Sequence, residues 1–528
     1  MNWKLLLLLG VALAGAVSAG LWLFEGPDKT IDVTILHTND VHAHYDPFEP
    51  WGEVMQGGVA HLATAVADIR GDERNVLLLD AGDQFQGTLF FTVGGASVVA
   101  DVMNAVGYDA MCVGNHEFDS GSATLAELIA QADFPVLSAN VDATADADLA
   151  PGVLPFALYR FDDTPVAVFG LTTEYTAVSS SPGPNVVFLD AVATARETVA
   201  QLEQVGIGII LALTHLGYEQ DLELARSVSG IDIVVGGHSH TLLGSVEGSE
   251  GAYPTVVTGP DGDAVLVVTA QEWGKWLGRL DVSFTPDGRI ASYYGEPVFI
   301  DAAIPADDAV ASILDAYRPA IDALMTQTVG GTDVVLDGER DAVRSQETNL
   351  GNLICDALVW KTANQGVTIA IQNGGGIRAT IPAGDVSMGQ VLEVLPYGNQ
   401  ITILTLSGTQ LWAAIENGVS QVASGAGRFP HVAGARFTYD PNAEPGSRVR
   451  SVDAWDEESE SYVPVDLAAT YRVATNNYLA DGGDDYSALT EASDRYDTGW
   501  LLSDTFAEYL TAVGNVSPQV EGRITAAE

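Results

Sequence analysis

Short apolar runs alternate with amphipathic stretches through the first 300 residues of the chain. The apolar runs cover residues 31–36, 76–79, 110–113, 166–169, 207–213 and 231–235, and each ends in a polar cluster. Runs of this length bounded by polar residues are typical of buried strands. Between two of them, residues 58–69 carry apolar side chains at helical spacing. This alternation predicts a layered α/β domain over residues 30–302.

A linker and a second domain are predicted after residue 302. Residues 307–329 carry apolar side chains at helical spacing, including Val310, Leu314 and Leu324, and contain Pro319, which should kink a helix. We therefore place a linker helix within residues 303–332. Beyond it, apolar runs at 368–371, 401–406 and 471–475 predict the strands of another α/β domain over residues 333–528.

The N-terminus resembles an export segment. Lys4 precedes an apolar run that extends to Phe24, with small residues at 17–19 where a signal peptidase can cut. About 20 apolar residues are also long enough to cross a bilayer. Residues 1–24 are therefore predicted to be a cleaved signal peptide or an uncleaved membrane anchor. Both interpretations predict a secreted, periplasmic or cell-envelope protein.

Acidic residues dominate the composition. There are 71 Asp and Glu against 22 Lys and Arg, which gives a formal net charge of −49. Such a surface repels polyanions, so nucleic acid is not an expected partner. Because salt screens this self-repulsion, the composition favours a saline habitat. The two cysteines, Cys112 and Cys355, lie far apart in the chain, so no disulfide framework is expected.

Side chains of metal-ligand type follow five of the predicted strands. They are two carboxylates, one amide and four imidazoles: Asp40, His42, Asp83, Asn115, His215, His238 and His240. Function gathers beyond the carboxyl ends of strands in such sheets. Two divalent cations about 3.5–4 Å apart need a bridging carboxylate, for which Asp83 is suited. Since the set contains no cysteine, manganese, zinc, cobalt or iron would fit it.

Four segments resemble the signature of the calcineurin-like metallophosphoesterases and, more narrowly, of the 5′-nucleotidase family. They are LHTNDVH at 36–42, DAGD at 80–83, GNHEFD at 114–119 and GHSH at 237–240. The resemblance implies two ligand sets: Asp40, His42, Asp83 and His240 for one ion, and Asp83, Asn115, His215 and His238 for the other. It also implies that His116 faces the reacting phosphate and that Asp119 orients His116. A helix cap is the alternative role for His116.

The C-terminal half resembles the second domain of the same family. The resemblance rests on Arg344, TNLGNLICD at 348–356, NGGGIR at 373–378, LPYG at 395–398 and NYLADGGD at 477–484. It implies that Tyr397 and Tyr478 clamp the base, where phenylalanines are often found, and that core packing is their alternative role. It also implies that Arg344 and Arg378 hold phosphate or carboxyl-like edges of the substrate. Asn373 and Asp484 should bind base or ribose, and Gly375 lets the loop approach the ligand.

These features predict a secreted, metal-dependent hydrolase of nucleotide phosphoesters, with nucleoside 5′-monophosphates as the expected substrates. A 2′,3′-cyclic phosphodiesterase with 3′-nucleotidase activity, a UDP-sugar pyrophosphatase and a sulfur-ester hydrolase remain open on the same scaffold. A nucleotide-binding surface protein without catalysis is a further alternative, which the complete ligand set disfavours. The remaining histidines His37, His44, His61 and His431 are expected to be structural, although His44 is close enough in sequence to line the pocket. The oligomeric state is left open.

Overall fold

The computed structural model describes residues 30–48, 55–150, 152–457 and 459–527. The predicted signal peptide or anchor at residues 1–24 lies outside them. The chain divides into two compact units, Met1–Arg318 and Pro319–Glu528. Both are mixed α/β structures, which confirms the predicted fold class.

The described residues of the first unit form two six-stranded sheets and a short two-stranded ladder. One sheet has the strand order β14-β13-β1-β2-β3-β4, the other has the order β11-β12-β10-β9-β7-β6, and β5 pairs with β8. The strands are β1 (Ile31–Thr38), β2 (Val76–Asp80), β3 (Ala110–Cys112), β4 (Val136–Leu137), β5 (Val141–Asp142), β6 (Phe156–Phe161), β7 (Thr164–Thr172), β8 (Val187–Phe188), β9 (Ile210–His215), β10 (Ile233–Gly236), β11 (Thr255–Thr258), β12 (Ala264–Val268), β13 (Trp276–Phe284) and β14 (Ile290–Phe299).

A single apolar core joins the two sheets of this unit. Ile35 and Leu79 from the first sheet and Leu213 and Val235 from the second belong to one buried cluster. Full burial of such side chains contributes about 1.5–3 kcal/mol each. The helices of the unit are α1 (Val59–Asp72), α2 (Leu89–Val106), α3 (Ser122–Gln131), α4 (Thr176–Ser179), α5 (Ala191–Gln204) and α6 (Tyr218–Ser227). Helix α2 is long and apolar enough to cross a membrane, but half of it is buried within this unit, as in a core helix.

Parallel pairing brings the important strand ends together. Strands β1 to β4 run parallel in one sheet, and β7, β9, β10 and β12 run parallel in the other. The carboxyl ends of parallel neighbours meet at one edge of their sheet. The turns after β1, β2, β3 and β10 carry six of the candidate ligands, and the seventh, His215, is the last residue of β9.

The predicted linker helix is shorter than expected. Helix α7 (Asp308–Met325) continues through Pro319, and the chain then enters strand β15 (Thr328–Thr332). The prediction of helix up to residue 329 was therefore wrong at its C-terminal end. Strand β15 contains Gly330 and Gly331 and pairs on both sides, with β17 and β25, so sheet pairing outweighs the helical spacing of the apolar residues.

The second unit contains a five-stranded, a four-stranded and a three-stranded sheet. Their orders are β19-β16-β23-β18-β24, β22-β21-β20-β26 and β17-β15-β25. The remaining strands are β16 (Ile369–Asn373), β17 (Gly384–Ser387), β18 (Gln400–Ser407), β19 (Pro430–Ala433), β20 (Ala435–Tyr439), β21 (Val449–Asp456), β22 (Ser461–Pro464), β23 (Thr470–Asn476), β24 (Asp494–Leu501), β25 (Asn515–Val516) and β26 (Ile524–Ala526). The helices are α8 (Arg340–Val343), α9 (Asn349–Thr362), α10 (Met388–Val394), α11 (Gly408–Val419), α12 (Asn477–Ala480), α13 (Ser487–Thr490) and α14 (Leu502–Val513).

Candidate functional site

Most of the candidate ligands lie in tight turns with unusual backbone conformations. Five of them have positive φ angles: Asp40 (51°), His42 (49°), Asp83 (60°), His238 (78°) and His240 (52°). Residues other than glycine adopt this left-handed region at a cost, and such residues concentrate at functional sites. The turns therefore hold the backbone of these residues in a conformation that residues other than glycine rarely adopt.

Asp83 lies at the centre of the cluster. Its Oδ2 is 3.0 Å from Nε2 of His215 and 3.9 Å from Nε2 of His116. The same His215 nitrogen is 3.1 Å from Oδ1 of Asn115 and 4.0 Å from Oδ1 of Asp40. This central position suits the bridging role expected of Asp83.

The donor atoms form three overlapping groups, and within each group they all lie within 4.8 Å of one another. The groups are Asp40, His42 and His240; Asp83, His215 and His238; and His42, Asp83 and His116. The first two groups follow the two expected ligand sets, and Asn115 adjoins the second through His215. The third group places His116 beside both sets.

The cluster fits divalent cations. Asp40 and Asp83 are 0% and 2% exposed, and buried carboxylates require compensating positive charge. Nε2 of His42 is buried and has no hydrogen-bond partner among the described residues. Carboxylate, imidazole and amide donors together suit borderline or hard divalent ions.

Backbone carbonyls orient two of the imidazoles. Nδ1 of His42 donates to the carbonyl of Phe85 at 3.0 Å, and Nδ1 of His215 donates to the carbonyl of Ala81 at 2.7 Å. Each bond leaves Nε2 as the nitrogen free to bind a metal ion. Burial lowers the pKa of His42 and lowers that of His238 to about 4, which favours the neutral, ligating form of these two. For His215, the carboxylates of Asp83 and Asp40 outweigh burial and raise the pKa to about 9.

His116 and Asp119 form a close pair beside the cluster. Nδ1 of His116 is 2.6 Å from Oδ2 of Asp119, whose other oxygen accepts a hydrogen bond from Ser180 at 2.6 Å. Burial opposes protonation of His116, but the carboxylates of Asp119 and Asp83 outweigh it and raise the pKa of His116 to about 10. His116 also begins a short helical turn, His116–Phe118, whose N-cap is Asn115 and which has no side-chain capping hydrogen bond, so the imidazole of His116 does not cap this turn.

Glu117 is a structural member of the site that sequence reasoning missed. Its fully buried carboxylate accepts hydrogen bonds from the backbone amides of Asp83, Gln84, Phe85 and Gly114. It therefore clamps the turn after β2 to the turn after β3. The sequence gives no direct signal for this role, because three of the four partners are backbone amides in another segment, the turn after β2.

The remaining histidines make structural contacts. Nε2 of His37 is 2.7 Å from the hydroxyl of Tyr253, Nδ1 of His61 donates to the carbonyl of Ile304, and Nε2 of His431 donates to that of Val343. His44 lies closest to the candidate ligands, since its Nδ1 donates to the carbonyl of His42 at 3.0 Å. These contacts agree with the structural roles expected of all four.

Three of the candidate nucleotide-binding residues contact one another in the second unit. Nδ2 of Asn373 donates to Oδ2 of Asp484 at 3.0 Å. The backbone amide of Asp484, whose φ is 55°, donates to the hydroxyl of Tyr478 at 3.1 Å. Asn373 is the last residue of β16, and Tyr478 lies in α12, which follows directly from β23. Strands β16 and β23 are paired. Tyr478 is half-buried, which leaves part of its ring accessible.

The other candidates surround the glycine-rich loop. The guanidinium of Arg378 lies 5.6 Å from the centre of the Tyr397 ring, and its Nη1 is 3.5 Å from the carbonyl of Gly375. Nη1 of Arg344 donates to the carbonyl of Gly425 at 3.3 Å. Burial lowers the pKa of Arg344, and the positive charges of Arg340 and Arg378 lower it further. An anion bound beside Arg344 and Arg378 would relieve this repulsion.

A second loop of this unit was missed in the sequence. The amide of Gly375 donates to the carbonyl of Gly427 at 2.7 Å, and a Cβ atom at Gly427 would lie 3.5 Å from Oδ2 of Asp484. The next residue, Arg428, donates to Oδ1 of Asn417 at 3.0 Å, and Asn417 in turn donates to the carbonyl of Asp484. The only local signal was the pair of glycines at 425 and 427 followed by an arginine.

Family models match both units of the chain. The model for calcineurin-like phosphoesterases matches residues 33–242, and the model for the 5′-nucleotidase C-terminal domain matches residues 328–491. The first match covers every candidate ligand, and the second covers all seven candidate nucleotide-binding residues. The molecule is therefore a metal-dependent phosphoester hydrolase.

Relatives that match nearly the whole of this chain identify the family within this class of hydrolases. The human 5′-nucleotidase is 38% identical over 98% of this chain and 93% of that protein. The crystal structure of a 5′-nucleotidase precursor from Thermus thermophilus is 45% identical, with a TM-score of 0.62 over 94% of this chain and 99% of that one. A trifunctional nucleotide phosphoesterase protein of Bacillus subtilis is 40% identical over 94% of this chain, which spans 35% of that protein's length. This chain belongs to the 5′-nucleotidase family.

Proposed function

We propose that this protein is a secreted 5′-nucleotidase that hydrolyses nucleoside 5′-monophosphates to nucleosides and inorganic phosphate. The observation that carries the proposal is the complete donor cluster around Asp83 with the His116–Asp119 pair beside it. The nucleotide-binding set of the second unit supplies the preference for a nucleoside. Export rests on the apolar segment at residues 1–24, which is either a signal peptide or an anchor.

We assign two divalent cations to the cluster, which would be zinc, manganese or cobalt. Asp40, His42, Asp83 and His240 would hold one ion, and Asp83, Asn115, His215 and His238 would hold the other. When bound, such ions neutralise the phosphoryl oxygens and acidify water, so that hydrolysis proceeds near neutral pH.

The side chains around the cluster complete the reaction. A water oxygen attacks phosphorus in line, the bond from phosphorus to the 5′ oxygen breaks, and that oxygen leaves with a proton as the nucleoside hydroxyl. Nε2 of His116 lies 3.9 Å from Oδ2 of Asp83 and is free to contact the phosphoryl group or the leaving oxygen. Asp119 fixes the ring through Nδ1 and stabilises its charged form.

The second unit binds the rest of the substrate. Tyr397 and Tyr478 offer ring faces for the base, and stacking contributes about 1–3 kcal/mol per base. Asn373 and Asp484 bind the base or the ribose, and Gly375 gives the loop close access to the ligand. Arg344 and Arg378 bind anionic groups of the nucleotide.

A substrate panel tests this proposal. Purified protein is stripped with a chelator, supplied again with Mn²⁺, Zn²⁺ or Co²⁺, and assayed for phosphate release at low and high salt. The substrates are AMP, UMP, 2′,3′-cyclic AMP, UDP-glucose and an aryl phosphate. For 2′,3′-cyclic AMP and UDP-glucose, a phosphatase is added after the reaction to release phosphate from the products. We expect metal-restored hydrolysis of AMP or UMP with the highest kcat/KM of the panel.

Two other outcomes would replace the proposal. A higher kcat/KM for the cyclic nucleotide or for UDP-glucose would make the protein a phosphodiesterase or a nucleotide-sugar pyrophosphatase. Equal rates for AMP and the aryl phosphate would show that the second unit does not select nucleosides.

A further inference from the structure

A loop at residues 271–275 contacts the segments that carry the candidate ligands. We refer to it as the Glu272 loop. The amide of Gln271 donates to the carbonyl of Thr241 at 3.1 Å, and the amide of Trp273 donates to the carbonyl of Asp40 at 2.8 Å. Both residues have left-handed backbone conformations, with φ of 62° and 60°. The loop is therefore fixed to the turn after β1 and to the turn after β10.

Glu272 lies directly behind His240. Its Oε2 is 2.9 Å from Nδ1 of His240, and Nε2 of the same ring is 3.3 Å from Oδ1 of Asp40. His42 and His215 direct Nδ1 to backbone carbonyls instead. His240 thus has a charged carboxylate behind it where those two ligands have a neutral oxygen.

Lys275 completes this arrangement. Its Nζ donates to Oε1 of Glu272 at 3.0 Å, and the side chains of Lys275 and Glu272 are 10% and 16% exposed. The ammonium group also lies 5.0 Å from the centre of the Trp273 ring. Because Lys275 occupies one carboxylate oxygen, the other is held in place for His240.

The loop also supports the turn that carries His42. The Trp273 ring stacks on His44, with ring centres 4.4 Å apart and an angle of 12° between the planes. His44 donates to the carbonyl of His42. Contacts from one loop therefore reach Asp40, His42 and His240, which are three of the four ligands assigned to one ion.

We propose that Glu272 is a positioning residue that sets the affinity of the protein for one of its two metal ions, the ion assigned to Asp40, His42, Asp83 and His240. A carboxylate that accepts Nδ1–H fixes the tautomer in which Nε2 is the free donor, fixes the ring orientation and increases the basicity of Nε2. The other ion depends on Asn115, His215 and His238, so the effect should be confined to one ion. This inference rests on the proposed assignment of the ligands.

The test compares metal binding by the wild-type protein and Glu272→Gln. Metal-free proteins are titrated with Mn²⁺ in a calorimeter, and the same samples are examined by electron paramagnetic resonance. The substitution preserves the shape of the side chain but removes its charge. We expect wild-type protein to bind two ions, and Glu272→Gln to bind one of them about 10–100-fold more weakly while it retains the affinity for the other.

Resonance spectra provide a readout that a general loss of stability would not produce. Two Mn²⁺ ions about 3.5–4 Å apart share a bridging ligand and are magnetically coupled. At one to two equivalents of Mn²⁺, the wild-type protein should show the coupled spectrum, whereas Glu272→Gln should show the spectrum of an isolated ion. Excess Mn²⁺ should restore the coupled spectrum in the variant.

Glu73→Gln is the matched control, because Glu73 is also a paired carboxylate, 2.7 Å from Arg279, and belongs to the same unit. It should bind both ions as the wild-type protein does.

Equal affinities in Glu272→Gln and the wild-type protein would overturn the inference while the ligand assignment stands. Equal weakening of both ions, with a lower unfolding temperature of the metal-free variant, would assign Glu272 a purely structural role and would also overturn it. A wild-type protein that binds no pair of ions would instead overturn the ligand assignment and, with it, this inference.

Discussion

The imidazole of His116 lies beside the candidate ligands but has no place in the ligand assignment. Its Nδ1 is held by Asp119, and its Nε2 lies near Asp83. We expect His116→Ala to lower kcat for AMP by about 10²–10⁴-fold, since a general acid or a positioned donor contributes about that much. Metal analysis of the same samples should still find two ions per chain. Loss of an ion would make His116 a ligand and contradict its assigned role.

Tyr478 should act through its hydroxyl as well as through its ring. The hydroxyl accepts a hydrogen bond from the amide of Asp484, which holds the carboxylate that binds Asn373. Tyr478→Phe keeps the ring face but removes this bond, which contributes about 0.5–1.5 kcal/mol. We therefore expect KM for AMP to rise by about 2–13-fold, the factor that corresponds to this energy, with kcat little changed.

Tyr478→Ala separates the two contributions of this residue. It removes the ring as well, so the loss of stacking should add about 1–3 kcal/mol to the loss of binding. Steady-state kinetics with AMP measure both variants. If Tyr478→Phe were as impaired as Tyr478→Ala, stacking would not contribute and the base-clamp role would be wrong.

At the scale of elements, the sequence predicts the strands of the first unit well, because each is a short buried run that ends in a polar cluster. The predicted run at 76–79 becomes β2, and the run at 231–235 overlaps β10. The candidate ligands could be identified from the sequence for the same reason, since they follow these runs directly. The predicted linker helix was too long because the helical pattern was extended to Val329, which lies in strand β15.

Residues that act on distant segments could not be found in this way. Glu117 binds amides in the turn after β2. Glu272 lies behind His240, and the two residues are 32 positions apart in the chain. Their roles depend on the packing of loops, which leaves no periodic signal in the sequence. Arg428 was missed for the same reason, because its partner Asn417 lies on helix α11.

A hydrogen bond that joins the start of β9 to the residue before β10 should make the stability of the protein depend on pH. Asp232 precedes β10 and accepts a hydrogen bond from the amide of Ile210 in β9. Burial and the nearby acidic side chains of Asp263 and Asp261 raise its pKa to about 8. An unfolded Asp has a pKa of about 3.9, so the folded state binds the proton more tightly and loses stability as pH rises from about 4 to about 8.

Asp232→Asn should remove this penalty. The amide oxygen still accepts the bond from Ile210, but the side chain no longer ionises. We expect the unfolding temperature to rise by about 2–4 °C at pH 9, and by less at pH 5, where the wild-type carboxyl is protonated when folded. Differential scanning calorimetry at the two pH values measures the difference. A larger gain at pH 5 than at pH 9 would contradict the stated direction of the pKa shift.

The charge of the whole molecule should make its stability depend on salt. A net charge of −49 destabilises the compact state through self-repulsion, and the Debye length falls from about 10 Å at 0.1 M to about 3 Å at 1 M salt. We therefore expect the unfolding temperature to rise between 0.1 M and 1 M KCl. Sucrose at matched osmolality controls for excluded-solute effects. A temperature that is unchanged or falls in KCl would show that the acidic surface does not limit stability.

For the molecule as a whole, we propose that two metal ions held around Asp83 drive hydrolysis of nucleoside 5′-monophosphates. The most direct measurement is phosphate release from AMP as metal is returned to the chelated protein in known equivalents, with bound metal counted in the same samples. We expect negligible release without metal and a plateau when two ions are bound per chain. Release that persists after chelation, or a plateau at one ion per chain, would contradict it.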